Sequence, residues 1–143
     1  LMTILNPNIK LIIAGLNPSE KLKSLSGNNM ELKENVSDKE LDELIANAHI
    51  NIIPSLNEIN TGVKLKIINA LYKGRFCLIS KNLLTVKNLE EVCVIADTVG
   101  DMGEKLNELI QESFSENEIQ KRTAYLKKYF FNEENANGLI RLL

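Results

Sequence analysis

The chain has 143 residues, 44% of them apolar and 25% charged, a normal length and balance for one globular domain with its own core. Seventeen Lys and Arg against 19 Asp and Glu leave a net charge of −2, which gives no general electrostatic reason to seek nucleic acid. No apolar run approaches the roughly 20 residues needed to span a bilayer, and residues 1–14 lack the charged, apolar and small segments of a signal peptide, so a cytoplasmic protein is expected.

The first strand-like run is Leu11-Ile12-Ile13-Ala14, ending at Gly15-Leu16-Asn17-Pro18. Met30-Glu31-Leu32-Lys33 alternates apolar and polar, which predicts a strand nearer a sheet edge. Ser37-Asp38-Lys39-Glu40 is a capping box, and Leu41, Leu44, Ile45 and Ala48 follow at helical spacing as one apolar stripe. Ile50–Ile53 predicts a strand ending at Pro54-Ser55, and residues 63–73 a helix stopped by Gly74. Phe76–Ile79 predicts the next strand, ending at Ser80-Lys81, and Val92–Ala96 another. Met102, Leu106, Leu109 and Ile110 mark a further helix. Ser115 and Glu118 repeat the capping box and start a helix running to about Phe130, and Ala136, Leu139, Ile140 and Leu143 suggest a last short one.

Short, continuous apolar strands are those buried on both faces, and parallel sheets are built of them. Alternation with helices predicts right-handed crossovers and helices on both sides of the sheet. The expected fold is a Rossmann-like three-layer α/β/α domain with one mostly parallel sheet and helices at its C-terminal end. No internal repeat or low-complexity linker divides it, so residues 1–143 read as one domain. The first residue, Leu1, is not an initiator methionine, which leads us to expect a piece of a longer protein.

In open parallel sheets, ligands bind beyond the carboxyl ends of the strands. None of those ends carries the acidic cluster of a phospho-receiver domain, and neither the Gly-x-Gly-x-x-Gly fingerprint nor a P-loop is present. The most distinctive segment runs from Pro54-Ser55 through Thr61-Gly62-Val63-Lys64 to Gly74. Gly62 lets a ligand approach the backbone closely, the first turn of the helix favours an anion, and Lys64 in that turn adds a positive charge. A diphosphate suits such a corner; a turn glycine with solvated lysines is the plainer reading of the same residues. Cys77 and Cys93 read as buried reduced thiols, and His49, the only histidine, as structural. Tyr125, Tyr129, Phe130 and Phe131 read as packing, and Glu90-Glu91 as a solvated turn.

Several segments, in order over about residues 9–115, resemble the C-terminal domain of the family 4 (group 1) GT-B glycosyltransferases. Lys10–Gly15 resembles the family's "L-x-I-x-G" strand, Ser37–Ala48 its "V-S-D-x-E-L" helix, and Ile50–Ser55 its "V-F-V-L-P-S". Thr61–Gly74 resembles "T-G-V-K-L-K-x-x-E-A-L-A-x-G", and Arg75–Ser80 the strand after it. The resemblance implies a donor-binding half that holds a nucleotide-diphosphate sugar as substrate, with no metal and no cofactor. It implies transfer to a glycan acceptor such as a bacterial surface polysaccharide. An N-terminal GT-B acceptor domain would be the partner, with any peripheral contact to the inner face of the membrane made through that other half.

In the family two glutamates spaced Glu-x7-Glu contact the transferred sugar and the ribose. Here those positions read Thr61 and Asn69, while Glu58 stands at the "P-S-x-x-E" distance from Pro54. The resemblance therefore assigns Glu58 or Thr61 to the sugar and Gly62, Val63 and Lys64 to the diphosphate. Asn69, with Pro54 and Ser55, falls to the ribose and nucleotide. Glu90-Glu91 stands where the family has an acidic pair that can lie near the cleft. The family's early Gly-rich loop and its basic pair would be expected upstream of residue 1. Isolated, the chain is expected to be inactive. The alternative is a degenerate, non-catalytic Rossmann-like module acting as an assembly or regulatory partner; a Rossmann-like binder of small molecules outside glycosyl transfer is a third reading.

Overall fold

The structure is a computed structural model and describes residues 9–24, 29–55 and 64–131. In chain order the described elements are β1 (Leu11–Gly15), α1 (Glu20–Lys23), β2 (Met30–Glu34), α2 (Asp38–Asn47), β3 (Ile50–Ile53), α3 (Leu65–Lys73), β4 (Phe76–Ser80), β5 (Val94–Ala96), α4 (Val99–Leu109) and α5 (Glu116–Phe130), with short 3-10 turns at Lys81–Leu83 and Leu89–Glu91. The short helix expected over Ala136–Leu143 lies outside the described residues.

All strand pairs are parallel. β1 pairs with β2, Leu11 opposite Met30, while β3, β4 and β5 pair in that order with Ile50 opposite Phe76 and Leu78 opposite Val94. This corrects the expectation of one continuous sheet: the described strands form two hydrogen-bonded groups. They meet through side chains instead, since Ile9 and Leu11 pack with Ile50, Ile52 and Phe76 against one buried cluster. β1 is also less enclosed than its apolar run suggests, with Ile12 39% exposed, because this strand turns only part of its surface to that cluster.

β4 carries the centre of the domain, and its three consecutive buried residues explain its unbroken apolar run. Successive side chains of a strand point to opposite faces. Cys77 and Ile79 therefore join Ile67 and Leu71 of α3 and Tyr125 and Leu126 of α5, while Leu78 joins Met102 and Leu106 of α4. The three layers follow: α3 and α5 on one side, the β3–β5 sheet, and α4 on the other. Each fully buried Leu or Ile contributes about 1.5–3 kcal/mol by leaving water, so Leu71, Leu78, Ile79 and Leu106 fix the layer order.

The caps follow the sequence. Ser37 accepts from the Glu40 N–H at 3.3 Å and the Glu40 carboxylate accepts from the Ser37 N–H at 2.8 Å, completing the box. The second box is half made: Ser115 accepts from the Glu118 N–H at 3.3 Å, and the Glu118 carboxylate instead meets Lys121. Gly74 ends α3, but not through a left-handed cap, since its φ is −93°. A Cβ there would run into the Asn51 side-chain amide and lie 2.8 Å from the Ala70 carbonyl oxygen. Gly74 is needed for close approach of α3 to β3.

Arg122 gives no signal in the sequence and is 7% exposed. Its guanidinium donates to the carbonyls of Leu71 at 3.2 Å and Gly74 at 2.6 Å, and also to that of Arg75. It lies 4.8 Å from the centre of the Phe114 ring, and burial pulls its pKa below the usual arginine value. One side chain thus ties α5 to the turn that joins α3 to β4. The remaining expected packing residues are in place: Tyr125, Tyr129 and Phe130 lie on the core, although Phe131, beyond the helix end, is half exposed. Cys77 and Cys93 are buried and free. His49 Nε2 lies 3.0 Å from the Leu109 carbonyl oxygen, and its ring meets Phe76 edge-on.

Candidate functional site

Parallel strands bring their carboxyl ends to one edge. On β3, β4 and β5 that edge is formed by Pro54-Ser55, by Ser80-Lys81-Asn82 and by Asp97. The Ser80 hydroxyl accepts from the Ser55 N–H at 3.0 Å, and the Asn82 side chain donates to the Ser55 carbonyl at 3.3 Å. The chain leaving β3 is therefore held to the chain leaving β4. Lys81 pairs with Asp97 at 3.0 Å, across the ends of β4 and β5. Asp97 also donates its N–H to Asp101 at 2.7 Å, and Lys105 bonds both Asp101 and the Ile95 carbonyl. The Asp97 N–H, then Lys105, hold the Asp101 carboxyl below its usual pKa.

The same geometry locates Lys64. The C-terminal end of α3, at Gly74, lies beside Asn51 of β3 and leads straight into β4. α3 thus runs back from the carboxyl edge, and its start, at Lys64, lies toward the strand ends. Lys64 was expected inside the first helical turn; it is the N-cap, with extended backbone (φ −90°, ψ 100°), and its carbonyl accepts from the Ile67 N–H at 2.8 Å. The N–H groups of Leu65 and Lys66 then have no carbonyl of the helix to bond, as in any helix start. Such groups carry partial positive charge.

Pro54, Ser55 and Lys64 are therefore brought toward one edge, together with Ser80. Asn69 sits one turn into α3 and is exposed, on the same outward stripe as Leu65 and Tyr72, each 74% exposed. Glu58, Thr61, Gly62 and Val63 lie outside the described residues. Gly15 closes the carboxyl end of β1 and Asn17 follows it; Asn17 (φ 45°) and Asn35 (φ 53°) adopt left-handed backbone there, and Asn35 donates its N–H to the Gly15 carbonyl at 2.9 Å. Asn and Asp tolerate that conformation better than other side chains. Lys81 stands at a strand end named from the sequence, while Asn82 and Asp97 join the edge without having been singled out; the signal for Asp97 was its position directly after an apolar run. Glu90 and Glu91 instead lie just before β5, near its amino end, with Glu91 accepting from the Asn88 side chain.

A concavity of about 480 Å³ opens at the opposite, amino edge, beside Cys77, Cys93, Glu118 and Arg122. It is poorly suited to an anion. Its arginine is committed to three carbonyls, and the Cys93 thiol is pushed well up from its usual pKa by its hydrogen bond with Cys77 and by burial. Among the described residues no three His, Cys, Asp or Glu side chains are grouped to hold a metal ion, and no described helix is long and apolar enough to cross a membrane.

Parallel strands, crossover helices and core packing on both sheet faces define a Rossmann-like α/β domain. The chain belongs to the group 1 glycosyltransferases: the sequence model of that family, Glycosyl transferases group 1, matches residues 2–112. The match runs from before β1 to just past α4 and ends short of α5. No curated protein and no solved structure gives a significant match to the chain.

Proposed function

We propose that this domain binds the diphosphate of a nucleotide-sugar donor at the carboxyl edge of β3 and β4, and that it is the donor-binding half of a transferase acting in polysaccharide synthesis. The observation that carries the reading is the start of α3, with Lys64, lying toward the ends of β3 and β4 in a chain of this family. Oriented N–H groups and a lysine act on charge that develops as the sugar leaves. Preorganised donors of this kind are worth most where water is excluded. Gly62 and Val63 would approach the diphosphate, Asn69, Pro54 and Ser55 the ribose and base, and Glu58 or Thr61 the sugar. The domain needs no metal or cofactor in this scheme.

The acceptor would be held by a second, N-terminal domain across a cleft, at the cytoplasmic face of the membrane. Holding donor and acceptor together lowers barriers by as much as ~7–11 kcal/mol in well-oriented cases, so the domain alone should bind without turning over. The rival reading, a non-catalytic module, is favoured by Thr61 and Asn69 standing where relatives carry glutamates. A thermal-shift panel of nucleoside diphosphates, their sugars and the plain nucleosides separates the two. A ligand that binds only the folded state raises the melting temperature. Stabilisation by a diphosphate sugar supports donor binding; a flat panel supports the module.

A further inference from the structure

The concavity at the amino edge brings together the two cysteines of the chain, and neither has a part in the carboxyl-edge site. Cys77 opens the buried stretch of β4, and Cys93 stands one residue before β5. Leu78 pairs with Val94 in parallel register, so the residues just before them, Cys77 and Cys93, face each other across the two chains. Both side chains turn to the α3–α5 side of the sheet, where they join one buried cluster, and their thiols are hydrogen-bonded to each other. Neighbouring strands lie about 4.8 Å apart, inside the roughly 4.4–6.8 Å of Cα separation that a disulfide spans. The two sulfurs differ in access, Cys77 being 1% exposed and Cys93 7%. The Arg122 guanidinium borders the same concavity and favours the Cys93 thiolate, against burial.

We propose that Cys77 and Cys93 are a peroxide-oxidisable pair that closes to a disulfide within the folded domain. Hydrogen peroxide enters by the concavity, and the Cys93 sulfur attacks one of its oxygens. The S–O bond forms, the O–O bond breaks, and the thiol proton leaves with the other oxygen as water. Cys77 then attacks the sulfenic sulfur: the S–S bond forms, the S–O bond breaks, and the Cys77 proton completes a second water. Two thiols have given up two electrons, and one peroxide has been reduced to two waters. Burial and the thiol–thiol hydrogen bond keep the thiolate fraction small, so the first step is slow. The second is fast, because the partner sulfur is already within hydrogen-bonding reach. The bridge closes a loop of sixteen residues (93 − 77 = 16) that includes Ser80, Lys81 and Asn82.

The test is to incubate the folded chain with excess hydrogen peroxide, unfold it, alkylate it with iodoacetamide and map its tryptic peptides by mass. Peptides 76–81 and 88–105 are expected to be joined, about 2 Da lighter than their sum and carrying no alkyl group. Dithiothreitol should separate them and restore both alkylation sites. The oxidised chain should melt about 5–10 °C above the same sample reduced with dithiothreitol, because the bridge restrains the unfolded chain. Cys77→Ser lacks the resolving thiol and should stop at a sulfinic acid on Cys93. Two alkylatable thiols after treatment of the wild type, sulfinic acid there in place of the bridge, or bridges between chains would overturn the proposal. So would a lower melting temperature in the oxidised than in the reduced sample, since the β4–β5 register would then not fit the bridge.

Discussion

Replacing Arg122 by alanine should be strongly destabilising, although the residue is charged and not one of the buried apolar core. The guanidinium is 7% exposed and bonds the carbonyls of Leu71, Gly74 and Arg75. A charged hydrogen bond of this kind contributes about 1.5–3 kcal/mol, and a buried acceptor left unpaired costs about 1–3 kcal/mol. Three acceptors would sum to roughly 3–9 kcal/mol. The lower end applies, because the variant no longer has to desolvate a cation, and because water can enter from the concavity that Arg122 lines. A loss of about 3 kcal/mol is expected, which lowers the melting temperature by roughly 10 °C in a chain of this size. Urea denaturation followed by circular dichroism measures it directly. R122M, which retains the stem but not the donors, should lose nearly as much, whereas R122K should recover part. A loss below about 1 kcal/mol in R122A would show that water satisfies the three carbonyls, and that α5 is held by Tyr125 and Leu126 alone.

Gly74→Ala should cost about 1–3 kcal/mol, the usual range for overpacking, since the added methyl meets Asn51 and the Ala70 carbonyl; an unchanged urea midpoint would mean that α3 shifts freely on β3. Ser37 holds Glu40 below its usual carboxylate pKa through its N–H and its hydroxyl. The sign follows from that depression: the box's contribution is complete above the unfolded-state pKa of about 4.3 and is lost as pH falls through the lower folded value. Glu40→Gln should therefore lower the melting temperature at pH 7 and bring it closer to wild type below about pH 4, the low end of the range in which free carboxylates titrate. An offset from wild type that does not change with pH would contradict this.

Much of the fold was legible because β4 is buried on both faces and so is written as an unbroken apolar run, while Met30–Glu34, paired on one side, alternates. Ser37 and Ser115 announced two helix starts to the residue. β5 proved shorter than Val92–Ala96. Val92 and Cys93 donate their N–H groups to the Leu89 carbonyl at 3.2 and 3.0 Å, and so close a turn before the strand begins. The separation of β1–β2 from β3–β5 was not legible, because strand adjacency depends on pairing between distant segments and apolar runs carry no partner label. Arg122 was hidden because a lone arginine on a polar helix reads as solvated, and only its distant carbonyl partners give it a role.

At the candidate site, Pro54, Ser55 and Ser80 could be placed at strand ends from the sequence. The pairing of Lys81 with Asp97 could not, since it joins two strand ends sixteen residues apart (97 − 81 = 16). Lys64 was placed two residues too deep, since the helix read from residue 63 begins at Leu65, the ordinary error of reading a helix start that has no side-chain cap.

The central claim is that the carboxyl edge of β3 and β4 binds a diphosphate. It is tested most directly by titrating isotopically labelled chain with a nucleoside diphosphate, its monophosphate and the nucleoside, and following backbone amide shifts. The account predicts the largest shifts at Ser55, Lys64, Leu65, Ser80 and Asn82, and tighter binding of the diphosphate than of the nucleoside. It also predicts that Lys64→Ala narrows that difference. Shifts confined to the amino edge around Cys93, Ser115 and Arg122, or no preference for the diphosphate, would contradict it.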